Sequence, residues 1–197
     1  MKERGNIIII EGPQGAGKST MANFLRDNLS CCNLYRLSGI KDKTKTGYEK
    51  NKTMYLGLIN YIESLEETGL NLIFDRTFFT EQVYARLGYK DYNFDDVYQR
   101  LVKKLSDLDF NIDFVVLYLK DTNIYEQRIV RQHHNYQEFS KENSINQQNT
   151  YLELIDNIKS KNIHKIKLAT DDFSKAYNTL IKKIPILNKN GLVYKEK

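Results

Sequence analysis

Cysteine, histidine and proline are scarce in this 197-residue chain, and long apolar runs are missing. The first apolar run, Ile7 to Ile10, is cut off by Glu11. It is too short for a membrane span or a signal-peptide core, so a cytoplasmic protein that contacts no membrane is expected. The two cysteines, Cys31 and Cys32, are adjacent and unsuited to an unstrained mutual disulfide; they read as reduced thiols packing near a helix end. His133, His134 and His164 show no ligand spacing with a cysteine or with one another, which argues against a structural metal. Pro13 and Pro185 are the only prolines, and no internal repeat is present.

What is there is a mildly basic chain, with 30 Lys and Arg against 25 Asp and Glu and a net charge of +5. That balance fits a polyanionic ligand without demanding nucleic acid. The length is that of one domain with a substantial core, expected to span residues 1–197.

Two hydrophobic periods alternate along the chain. Ile7 to Ile10, the NLIF ending at Phe74, and Phe114 to Leu119 are continuous apolar runs, the pattern of strands buried on both faces of a parallel sheet. Residues 33–37 and 163–168 are weaker strands whose polar interruptions suit sheet edges. Between them, apolar residues recur every three or four positions around Met21, Tyr55, Val97, Tyr151 and Phe173, which predicts helices showing one stripe to the sheet. Strand and helix in alternation imply an α/β fold with right-handed crossovers, a five-stranded parallel sheet covered on both faces, and ligands at the carboxyl ends of the strands. Glu11, Asp75, Arg76 and the turn after Leu119 then share one edge, and Asp121 and Asp171 are placed to cap the helices that follow them. Polar stretches at 39–52 and 132–149 read as mobile elements, the second as a lid, and residues 185–197 are unassigned.

Gly12, Pro13, Gln14, Gly15, Ala16, Gly17, Lys18 and Ser19 match G-x-x-x-x-G-K-[ST], and Thr20 continues the turn into a helix. Glycines let consecutive backbone N–H groups converge on phosphate oxygens, and the helix that follows points its positive end at them. Lys18 is placed for the β- and γ-phosphates and the Ser19 hydroxyl for Mg²⁺, with ATP as the donor. A buried-strand pattern precedes the motif and an amphipathic helix follows it. The fold expected is therefore the P-loop NTPase three-layer α/β/α sandwich, with a mobile lid. No Asn-Lys-x-Asp guanine-reading motif occurs: Asn51-Lys52 is followed by Thr53, and Asn188-Lys189 by Asn190.

A second stretch, FDRTFFTEQVYARLGY from Phe74, places Asp75 and Arg76 where a central strand ends. An Asp there holds Mg²⁺ or takes an acceptor proton, and an Arg beside it pins an acceptor phosphate bidentately. Arg128 and Arg131, three apart on one helical face, are placed to close over the transferring phosphoryl group; the competing reading is a solvated basic face. Phe78, Phe79 and Tyr84 either stack on an acceptor base or fill the core.

With these residues in view, the chain resembles the thymidylate kinases and their relatives the deoxyribonucleoside kinases. The Asp-Arg pair followed by a helix with a small hydroxyl residue is similar to Asp75, Arg76, Thr80 and Tyr84 here. EQRIVRQ is similar to the basic helix entering the family's lid, YLELI from Tyr151 to the segment following it, and KIKLATDDFSKAYNTLIKKI to the last strand and helix, whose connecting loop borders adenine. The likeness spans residues 6–184. It implies ATP- and Mg²⁺-dependent transfer to a small-molecule nucleotide acceptor, a deoxynucleoside monophosphate, with Glu11, Arg36, Arg76, Phe79, Thr80 and Tyr84 on the acceptor side and a homodimer as the assembly. The chain departs from the thymidylate kinases in having Leu37 and Ser38 after Arg36, and Asn146 and Gln148 where the lid would carry arginines, which leaves the base open. Deoxyribonucleoside kinases are the alternative, although the carboxylate they use after the second strand is missing from YRLSG. A kinase of DNA or RNA ends or bases, permitted by a pI near 9.0, and an ATP-binding switch without transfer are the remaining readings.

Overall fold

The computed structural model describes residues 4–129 and 140–189, together with Leu192 and Tyr194. Five strands, β1 (Asn6–Glu11), β2 (Cys32–Arg36), β3 (Asn71–Asp75), β4 (Asn111–Tyr118) and β5 (Ile163–Ala169), form one sheet in the order β2-β3-β1-β4-β5. Every pairing is parallel. The helices are α1 (Lys18–Asn28), α2 (Lys45–Glu63), α3 (Phe78–Arg86), α4 (Asp95–Asp107), α5 (Ile124–Ile129), α6 (Lys141–Asn157), α7 (Phe173–Lys183) and α8 (Pro185–Lys189). The two strands with polar interruptions are the edges, as their composition predicts.

The period-two alternation of β1 divides the core. Ile7 and Ile9 join Leu72, Phe74, Ile112 and Phe114 under α2, α3, α4 and α6. Ile8 and Ile10 face the other way, with Ile73, Val115 and Leu117 under α1, α7 and α8. Each fully buried isoleucine contributes about 1.5–3 kcal/mol relative to exposure, so a charge at any of these four positions would be hard to accommodate. Among the described residues no helix is long and apolar enough to cross a membrane.

Four expectations need correction. The stretch at 39–52 is loop only to Thr44, because α2 begins at Lys45 and the polar Asn51, fully buried, continues the stripe of Tyr55 one turn earlier. Likewise 141–149 is the first half of α6, started by Ser140, whose side chain accepts from Asn143 N, and buried along Ser144, Gln147 and Gln148. The rest of the expected lid, 132–139, lies outside the described residues. Asp172, not Asp171, caps α7 by accepting from Lys175 N, whereas Asp171 accepts from the backbone N–H of Lys120 and Asp121. Finally, Cys31 does not pack against a helix end, being exposed with φ 47°, whereas Cys32, which opens β2, does: its Sγ donates to Arg26 O in the last turn of α1 at 3.4 Å.

Candidate functional site

The carboxyl ends of β1 and β3 lie side by side, Ile10 opposite Asp75, and Arg36 of β2 is the next partner of Asp75. Parallel pairing therefore delivers residues 11, 36 and 75 to one edge from three distant parts of the chain. From β1 the chain turns through residues 12–17 into α1, whose N-cap is Gly17 in the left-handed region at φ 88°. A side chain at Gly17 would run into the Phe173 ring.

Lys18 lies against its own loop. Its Nζ donates to Gly12 O at 2.9 Å and Pro13 O at 2.7 Å. Burial, with the nearby Arg76 charge, pulls its pKa down to about 7, against the opposing pull of Asp75 and Glu11. Ser19 Oγ donates to Asp75 Oδ2 at 2.7 Å, and Arg36 Nε stands 3.9 Å from the same oxygen. The other oxygen, Asp75 Oδ1, is buried with no hydrogen-bond partner. A carboxylate with a free buried oxygen beside a serine hydroxyl is a hard-oxygen donor set that suits Mg²⁺.

Glu11 is completely buried. Its Oε1 accepts from Thr77 N at 2.6 Å and Thr77 Oγ1 at 3.1 Å, and its Oε2 from Thr80 Oγ1 at 2.7 Å and Tyr151 Oη at 3.1 Å. Burial raises its pKa, and these hydrogen bonds together with Arg76 and Lys18 oppose the rise. The carboxylate thus fixes the start of α3 and pins α6 against it. Between them Arg76 adopts φ 75° and donates from Nη1 to Tyr84 Oη at 3.2 Å. Burial works against its charge, but Tyr84, Tyr151 and Glu11 more than compensate and hold the guanidinium protonated.

On the other side of the loop, Arg128 donates from Nη1 to Gly15 O at 3.3 Å and from Nη2 to Thr170 O at 2.7 Å, and its guanidinium lies 5.0 Å from the centre of the Phe173 ring. Thr170 Oγ1 donates to Ala16 O at 2.8 Å. Gln147 Oε1 accepts from Gln14 N at 3.3 Å. The loop is braced from the end of β5, from α5 and from α6.

The structure brings Lys18, Ser19, Asp75, Arg76, Arg36 and Tyr84 together along this edge, while Ser19 and Thr20 start α1 facing solvent. It places three expected acceptor contacts elsewhere. Phe79 is fully buried, stacked on Phe114 at 4.1 Å and on Phe78 at 4.4 Å, because α3 packs flat on the sheet. Glu11 and Thr80 are buried as each other's partners, so they position α3 rather than offer a surface. Arg128 sits between the loop and Phe173, bonded to Gly15 O and Thr170 O, and Arg131 lies outside the described residues. Sequence reasoning missed Thr77, Gln147, Thr170 and Phe173. Only Thr77 carried a local signal, a hydroxyl residue at a helix N-cap, where its side chain accepts from Phe79 N.

A parallel sheet of this order, with the glycine-rich loop leaving its central strand and an Asp-Arg pair ending the next, defines a P-loop α/β fold of the nucleotide-kinase type. The particular fold is that of the thymidylate and deoxynucleoside kinases. The structure is similar to thymidylate kinase from Candida albicans, with TM-score 0.65, 18% identity, and coverage of 98% of this chain and 96% of that one. It is also similar to deoxyadenosine kinase from M. mycoides with dCMP and dCDP bound, with TM-score 0.61, 18% identity, and coverage of 94% and 100%. The same enzyme with bound dATP gives TM-score 0.56 at 15% identity, covering 90% and 98%. No protein-family model and no curated protein matches the sequence.

Proposed function

We propose that this protein is an ATP- and Mg²⁺-dependent kinase that phosphorylates a (deoxy)nucleoside monophosphate to the diphosphate. The observation that carries the choice of acceptor is the placing of two guanidinium residues on one edge: Arg36, whose Nε stands 3.9 Å from Asp75 Oδ2, and Arg76, which follows Asp75 at the end of β3. A monophosphate brings about two negative charges beside an already anionic donor, and its site needs cations that a nucleoside site does not. Support also comes from the end of β2, where Leu37 and Ser38 follow Arg36 and supply no carboxylate to deprotonate a nucleoside hydroxyl.

The chain's own groups divide the work as follows. Backbone N–H groups of the loop bind the donor phosphates, and Lys18, held beside the Gly12 and Pro13 carbonyls, supplies its charge to them. Ser19 and Asp75 would hold Mg²⁺, which would supply neutralisation of phosphate charge. Arg76, kept charged by Tyr84 and its neighbours, orients the acceptor phosphate, whose oxygen is already a competent nucleophile. Arg128 and Phe173 shape the donor side, where the resemblance places adenine.

The test compares a nucleoside with its 5′-monophosphate in the unaltered protein and in Arg76→Ala, within a panel that includes short oligonucleotides. The monophosphate is expected to be the better substrate, and to lose most of that advantage in the variant. Faster phosphorylation of the free nucleoside would refute the reading in favour of a nucleoside kinase. Turnover only with oligonucleotides, falling steeply with salt, would refute it in favour of a polynucleotide acceptor.

A further inference from the structure

Behind the acceptor edge lies a second buried polar cluster that the functions above do not use. Glu81 of α3 and Lys90 of the α3–α4 connection form an ion pair of 3.0 Å between Nζ and Oε1, with their side chains 1% and 7% exposed. The Tyr92 hydroxyl donates to the same carboxylate oxygen, and Asn51 Nδ2 donates to it at 3.1 Å and to Tyr92 Oη at 3.0 Å. A second set of bonds runs from these side chains to the backbone of the segment that follows Arg36. Lys90 Nζ donates to Ile40 O at 2.9 Å and Asp42 O at 3.5 Å, and Asn51 Oδ1 accepts from Ile40 N at 3.1 Å. Asp91 N donates to Lys43 O at 2.9 Å. A Cβ at Gly39 would stand 2.7 Å from Glu81 Oε2, so the loop lies directly on the cluster.

Burying an ion pair brings little net stability, and an apolar filling of the same volume usually does as well. What charge and amide groups add is direction. An ammonium has three donors; here one meets Glu81 and two meet carbonyls of the loop, which fixes where that backbone runs. The loop begins at Leu37, whose N–H donates to Asp75 O at 3.1 Å, immediately after Arg36. It therefore forms the wall of the acceptor side and has no contact with the phosphate loop among the bonds described.

We propose that Glu81, Lys90 and Asn51 are positioning residues that latch residues 37–43 to α3 and thereby set affinity for the acceptor, independently of the donor. This rests on the kinase reading above. The test uses Glu81→Gln combined with Lys90→Met, which removes both charges together and leaves no buried ion unpaired, while the amide oxygen introduced at position 81 still accepts from Asn51 and Tyr92. Lys90→Met alone is the second variant, its folding checked by thermal unfolding. Two measurements are made: KM for acceptor and for ATP, and amide exchange of residues 37–43 against residues 12–19. The double variant is expected to raise acceptor KM about tenfold or more, since small displacements of a positioning wall cost that much, while ATP KM stays within about twofold. Exchange should quicken in 37–43, the Ile40 amide above all, and stay unchanged in 12–19. Unchanged acceptor KM, with or without faster exchange, would overturn the proposal, as would equal rises in both KM values. Absence of transfer by the unaltered protein would overturn the kinase reading itself, and the exchange data, which need no acceptor, would still show whether the latch holds the loop.

Discussion

Two glycines with similar backbones and different surroundings allow the steric demand of the phosphate loop to be measured. Gly17 has φ 88° and Gly88 has φ 72°. A methyl group on Gly88 meets nothing within 4 Å, whereas on Gly17 it would overlap Phe173 Cζ and lie 2.8 Å from Cε1. Gly88→Ala should therefore carry only the cost of a left-handed L-residue, about 1–2 kcal/mol. Gly17→Ala carries that and an overpacking cost of about 1–3 kcal/mol more. Thermal unfolding should register the difference, at about 2–4 °C per kcal/mol for a chain of this size. The second readout is the rise in Tm on adding ATP with Mg²⁺. Phe173 is the platform under Arg128, and Arg128 holds Gly15 O and Thr170 O, so displacing the ring loosens the donor side. Gly17→Ala should lose most of the nucleotide-induced shift, and Gly88→Ala should keep it. If the two variants cost the same within about 0.5 kcal/mol, the Phe173 ring yields freely and the steric argument fails.

Lys18→Ala should lower phosphoryl transfer by several orders of magnitude with little loss of fold stability, since the lysine supplies charge to the transferring group; activity within about tenfold of the unaltered protein would overturn the loop assignment. Because burial lowers the Lys18 pKa to about 7 while the unfolded value is the ordinary 10.5, the unfolded chain binds more protons between those pH values, and Lys18 makes stability rise with pH across that window. Polyphosphate beside it reverses the shift, so ATP binding at pH 8 should be accompanied by proton uptake, measured by calorimetry in buffers of different ionisation enthalpy and absent in Lys18→Ala. Arg128→Gln should weaken ATP binding as well as turnover, since its contacts hold the loop before chemistry; equilibrium titration with unchanged ATP affinity would show that those contacts are dispensable for the donor.

The elements most legible in the sequence were those whose burial is apolar throughout. Ile7–Ile10 and Phe114–Leu117 could belong only to inner strands, and the order of strand and helix then placed Asp75 beside the loop by topology alone. The first halves of α2 and α6 escaped notice because their buried stripes are polar: Asn51 in one, Ser144, Gln147 and Gln148 in the other. Gln148 shows why. It is buried as a clamp, accepting from Leu119 N and Tyr125 Oη and donating to Leu119 O, partners no local pattern announces. The site divides in the same way. The phosphate loop is contiguous and legible, whereas Thr170, Phe173 and the Lys90 cluster reach their partners only through the fold. Phe79 was misplaced because an aromatic after a strand carries no mark of which side of α3 it takes.

The sheet order has a consequence for synthesis. β1 is the middle strand, and its two neighbours are β3, in which Asn71 pairs with Asn6, and β4, in which Asn111 does. A chain emerging from the ribosome therefore carries four isoleucines with both edges bare until some seventy residues have followed, and the second edge waits longer. Glu11 waits longer still, since its partner Tyr151 lies 140 residues downstream. A short β-branched segment without charge is the kind that pairs with the wrong chain, and here Lys2, Glu3, Arg4 and Asn6 before it and Glu11 after it act as polar guards. The strand that leads into the glycine-rich loop thus waits for its partners longer than its length would suggest, and the charged residues flanking it are what guard it against misassociation in the meantime.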